Sequence, residues 1–75
     1  MTPDAILALY RWVLADCFRC GRTRVHAVRL DAIGTPSGRI YELHACGHCV
    51  LELEEERQIH AERRGDVYQP GALGA

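Results

Sequence analysis

The chain of 75 residues contains no lysine; its nine basic residues are all arginine. No segment approaches the ~18 consecutive apolar residues that a membrane span requires. The N-terminus lacks the marks of a secretory leader: Asp4 comes early, no basic region precedes the apolar stretch, and no small-residue cleavage site follows it. The expectation is a cytoplasmic protein with neither leader nor span. Catalytic patterns are missing too. No Ser-His-Asp arrangement is suggested, and no His-x-Glu stands beside a Cys-x-x-Cys pair as a deaminase-type zinc site requires. The chain is therefore expected not to be an enzyme.

What the sequence does have is four cysteines in two pairs, Cys17 with Cys20 and Cys46 with Cys49, separated by 25 residues. A domain this small buries only ~60–65% of the surface its unfolded chain exposes, so an additional staple is expected. In a reducing compartment disulfides do not persist, and paired Cys-x-x-Cys points to metal instead. The net charge of −1 argues against a generally basic nucleic-acid binder, but it is unevenly spread. Residues 1–40 carry six Arg against three Asp, whereas residues 41–75 carry three Arg against six Glu and one Asp.

Local signals predict the elements. Thr2 as cap, Pro3 in the first turn and Asp4 near the helix dipole open a helix over residues 3–15, apolar on every side except at Arg11. Thr23–Ala32 and Arg39–Ala45 read as strands joined by the turn formers Gly34-Thr35-Pro36-Ser37-Gly38. That hairpin returns Cys46 to the side of Cys20. Val50–Leu53 is a candidate third strand, and Leu53–Arg64 a short polar helix stopped by Gly65, with Glu54, Glu55 and Glu56 as its solvated start. Residues 1–66 form one domain, and 67–75 a flexible tail.

Two residues between cysteines let a tight turn aim both sulfurs at one ion, and two such turns supply the tetrahedral four-thiolate shell that zinc favours. Cys17-Phe18-Arg19-Cys20-Gly21 and Cys46-Gly47-His48-Cys49 around a hairpin resemble a zinc ribbon. The resemblance implies an α+β fold: a small zinc ribbon with an N-terminal hydrophobic helix and a short polar C-terminal helix. It also implies one Zn²⁺ per chain on Cys17, Cys20, Cys46 and Cys49. Rubredoxin, an iron electron carrier, uses similar knuckles, and four thiolates alone do not separate iron from zinc. Here Val50 follows the second pair where rubredoxin has glycine, and aromatics are few. His48 or His44 could replace a sulfur, against the plainer reading that four cysteines close the shell and His48 is exposed on the knuckle tip, and His26 with His44 could form a second site if the hairpin register opposed them.

Function is read from the surfaces around the metal. The uncovered side of the N-terminal helix, centred on Leu9, Trp12 and Val13, is expected to bind a protein partner or a second copy as a dimer. With such a surface, the zinc-ribbon resemblance implies a transcription-associated regulator or an adaptor as the expected role. The alternative is direct nucleic-acid binding through Arg19, Arg22 and Arg24, against the plainer reading that these arginines balance the net −2 of a four-thiolate zinc. No small-molecule substrate is expected.

Overall fold

A computed structural model describes residues 2–73. In chain order it contains α1 (Pro3–Leu7), β1 (Val13–Ala15), β2 (Val25–Gly34), β3 (Ile40–Cys46) and α2 (Gly47–Arg64). The strands form one antiparallel sheet in the order β1-β2-β3, so the protein is α+β.

The N-terminal helix begins as its sequence predicts, with Thr2 Oγ1 accepting a bond from the Ala5 amide at 3.2 Å. It stops at Leu7, eight residues short of the expected end at Ala15. The amides of Leu9 and Tyr10 turn back to the Ile6 and Leu7 carbonyls at 3.1 and 3.3 Å, tightening the final turn. The Trp12 indole N–H also donates to the Leu7 carbonyl at 2.9 Å. The physical reason lies further along. A helix apolar on all sides would need cover on two faces, whereas as a strand Val13, Leu14 and Ala15 satisfy their backbone against Ala27, His26 and Val25.

The hairpin lies close to its predicted bounds. The Thr35 amide donates to the Arg39 carbonyl at 2.8 Å and the Gly38 amide to the Thr35 carbonyl at 3.0 Å, closing the turn. A bulge between Arg29 and Asp31 shifts the register, so that Arg29 opposes His44 and Asp31 opposes Leu43.

The third strand expected at Val50–Leu53 is not a strand. Those residues belong to α2, which begins at Gly47 rather than Leu53. A strand there would have had to add to the outer edge of β3, but Phe18 already donates its amide to the His44 carbonyl at 2.9 Å. As a helix, the segment instead packs Val50, fully buried, against Val28 and Ala45. Gly65 ends α2 in the left-handed conformation, φ 72°, as the sequence predicts.

The core is small, comprising Cys17, Ala27, Val28, Ala45, Cys46, Cys49 and Val50, with Leu7, Trp12, Leu53 and Leu73 among the half-buried residues around it. Beside it lies a buried carboxylate. Glu54, expected as part of a solvated helix start, is 1% exposed. It accepts hydrogen bonds from the hydroxyls of Tyr10 and Tyr68, from Arg57 at 3.0 Å and from the Gly71 amide at 3.3 Å. The segment expected as a flexible tail therefore folds back over residues 67–73. Leu73 donates its amide to the Tyr10 hydroxyl at 3.0 Å, and Arg57 donates to the Gln69 carbonyl at 3.0 Å. Residues 74 and 75 lie outside the described part.

Gly71 makes this return possible. Its φ is +82°, and a Cβ there would stand 2.9 Å from the side chain of Leu9. Gly71→Ala is accordingly expected to destabilise the protein by about 1–3 kcal/mol, from left-handed strain plus a contact with Leu9 that must open. Thermal unfolding of the variant checks this, and an unchanged midpoint would rule out the packed arrangement of the segment.

Candidate metal centre

The four cysteines arrive at one point from opposite ends of the fold. Cys17 and Cys20 sit on a turn after β1, in which the Cys17 amide donates to the Arg22 carbonyl at 2.8 Å and the Gly21 amide to the Cys17 carbonyl at 3.1 Å. The Cys20 amide points at the Cys17 sulfur, 3.5 Å away. Gly21, at φ 78°, takes the positive-φ step that lets the turn close.

The second pair is built differently. Cys46 is the last residue of β3 and the N-cap residue of α2, and Cys49 lies in the first helical turn. A turn on one side of the cluster thus faces a helix start on the other. The Cys46 side chain makes no capping bond; its sulfur belongs to the cluster.

The sulfurs of Cys17 and Cys49 are 3.6 Å apart and those of Cys20 and Cys46 are 3.7 Å apart. All four lie within 4.8 Å of one another. Thiolates at ~2.3 Å from a tetrahedral ion must stand ~3.8 Å apart, so the four are positioned to bind a metal ion. Cys17, Cys46 and Cys49 are buried and Cys20 is exposed. As free thiols they are uneven. Burial raises Cys17, but the amides of Cys20, Cys46 and Arg19 outweigh it and bring it to about 6. Burial, helped by the neighbouring sulfurs of Cys17 and Cys46, pushes Cys49 up to about 12.

The histidines stay outside this shell. His48 is exposed and pairs with Glu52 at 2.6 Å, one turn along α2. His44 opposes Arg29, and His26 opposes Leu14, so the register does not bring His26 and His44 together. Among the described residues, the cysteines are the sole group of three or more side chains arranged to hold a metal ion.

The arginines separate into two kinds. Arg19 reaches across to α2, meeting Glu52 at 3.3 Å and Glu56 at 3.4 Å. The Glu52 carboxylate first, and the Cys49 sulfur after it, raise the pKa of its guanidinium. Arg22 and Arg24 are exposed and form no ion pair among the described residues. The three do not make one free basic surface.

The residues expected to meet a partner also divide. Leu9 is 49% and Val13 43% exposed. Trp12 is half-buried, packing at the core with its ring beside Gly47 at the start of α2.

Sequence reasoning missed Glu54 and its two tyrosines. The signal was present only in part: on a helix starting at Gly47, Glu54 shares a stripe with Val50, Leu53 and Arg57, whereas on a helix starting at Leu53 it is merely one of three glutamates.

Together these features define a small α+β protein whose four thiols are clustered where they can hold a metal ion. No protein-family model, curated protein or solved structure matches the chain. Among the described residues, no helix is long and apolar enough to cross a membrane.

Proposed function

We propose that the chain is a non-enzymatic zinc-binding protein that acts by protein–protein interaction, as a transcription-associated regulator or an adaptor. The cysteine cluster carries the reading. Four thiolates close a tetrahedral shell and leave no coordination position for water or substrate, which is the arrangement of a structural rather than a catalytic site. The metal's work is then to join the turn after β1, the hairpin and α2, and so to display what lies on them.

What is displayed includes Leu9 and Val13, apolar and open to solvent beside the half-buried Trp12. Exposed apolar groups held on a rigid support are the usual material of a docking surface, whether for another protein or for a second copy. Direct nucleic-acid binding has weaker support. Arg19 is engaged with Glu52 and Glu56, and the acidic helix that holds it would repel phosphate.

Capture of partners from the native host tests the reading. Zinc-loaded protein should retain its partners over a tenfold rise in salt and lose them on Leu9→Asp or Val13→Asp, with Trp12→Ala weakening capture by loosening the segment. Capture that collapses with salt and responds to Arg22→Ala or Arg24→Ala would instead establish nucleic-acid binding. Iron absorption bands in protein purified without added metal would replace zinc with an electron-carrying site.

A further inference from the structure

Between the N-terminal segment and the sheet lies a groove of about 440 Å³, within the range of ligand-sized pockets. Its apolar wall is formed by Leu9, Val13, Val28 and Leu73. The groove exists because β1 is so short. It pairs with Val25–Ala27 alone, although β2 runs on to Gly34, and before Val13 the chain turns away towards α1. From Val28 onward, that edge of β2 has no strand partner among the described residues. Unpaired strand edges accept an added strand, with backbone bonds giving affinity and side-chain pockets giving selectivity.

The rim specifies the charge of the occupant. Arg29 and Glu42 neutralise each other at 3.3 Å, and Glu42 also faces His44 at 3.8 Å. Arg11 lines the same groove and makes no ion pair among the described residues. The groove therefore offers one uncompensated cation beside an apolar wall, on a chain whose net charge is −1.

We infer that this groove docks an extended peptide segment of a partner protein, in which an apolar side chain is flanked by a carboxylate. The segment lies along the free edge of β2, its apolar side chain enters between Leu9 and Val13, and its carboxylate meets Arg11. The inference rests on the interaction reading above and names the site and the class of partner for it.

The test uses the zinc-loaded full chain with fluorescein-labelled hexapeptides of alternating leucine and aspartate, and a leucine–lysine counterpart, followed by polarisation and amide chemical shifts. The leucine–aspartate peptide should bind at about 100 µM or tighter, with shifts concentrated on Val28–Ala32. Arg11→Glu should weaken it about tenfold and transfer the preference to the leucine–lysine peptide. Val13→Asp should abolish binding while zinc content and far-ultraviolet dichroism stay unchanged. Equal affinity for the two peptides, shifts confined to Ile40 and Tyr41 at the hairpin tip, preference for a short oligonucleotide, or no binding at about 1 mM would each overturn the inference. If the peptides fail while partner capture still depends on Leu9 and Val13, the docking mode is wrong and the interaction reading stands. Loss of that dependence removes both.

Discussion

Chelating the metal from zinc-loaded protein is expected to unfold it, with loss of the native dichroism and of dispersed amide resonances, and returning one equivalent of zinc should restore both. Structural zinc in small fingers contributes on the order of 10 kcal/mol at neutral pH, comparable with the whole stability of an ordinary domain. Among the described residues, the buried aliphatic side chains are four small ones, Ala27, Val28, Ala45 and Val50, packed with cysteines. With Cys17, Cys46 and Cys49 buried and Cys20 completing the set, demetallation would leave unbound thiols at the centre of the protein. Cys49→Ser should therefore reproduce the chelated state even with zinc in excess. Because binding displaces protons from the thiols, the zinc concentration needed to hold the fold should rise as pH falls. A chelated protein that keeps its native spectrum would show that the four sulfurs are packing groups and not ligands.

Substitution of Glu54 should give the largest loss outside the metal centre. Glu54→Ala removes the common acceptor of Tyr10, Tyr68, Arg57 and the Gly71 amide, leaving the two half-buried hydroxyls and the Gly71 amide without an acceptor and Arg57 with the Gln69 carbonyl alone. Breaking such a buried group from one side costs about 3–5 kcal/mol. Glu54→Gln keeps the shape and one acceptor but loses the charge facing Arg57, and should cost about 1–3 kcal/mol. Thermal unfolding of zinc-loaded protein ranks the two, and equal midpoints with the parent would show that the carboxylate is solvated.

The pH dependence of this cluster has a definite sign at each end. Burial raises the Glu54 pKa, but the hydroxyls of Tyr10 and Tyr68, the charge of Arg57 and the Gly71 amide together bring it below its usual 4.5. Its contribution is present above pH 4.5 and is lost as the pH falls below that value. Burial and then the Glu54 bond push both Tyr10 and Tyr68 up to about 12 from 10. Their contribution is complete below pH 10 and is lost as the pH rises towards 12. Phenolate absorbance should accordingly show Tyr10 and Tyr68 titrating late. In Glu54→Gln they should titrate earlier.

The separate fates of residues 3–15 and 46–49 show how far local chemistry carries. Cysteine spacing, the turn formers at 34–38 and the glycine at 65 act within a few residues of themselves, so the metal cluster, the hairpin and the end of α2 were all legible in the sequence. The N-terminal run was not, because its apolar pattern suits a helix or a buried strand equally, and pairing with Val25–Ala27 decided between them. The start of α2 was settled in the same way, since Phe18 had taken the β3 edge that a third strand at Val50 would have needed. Glu54 depended most on tertiary structure. Its partners Tyr10 and Tyr68 lie 44 and 14 residues away, and no local pattern marks a glutamate for burial until the segments carrying those hydroxyls have folded against it. The sequence alone determined which atoms could bind a metal and where the chain must turn, because those are short-range constraints of spacing and backbone freedom. Only the tertiary structure decided which strand edges were filled, which were left open and which charge went inside, because each depends on competition between segments distant in the chain.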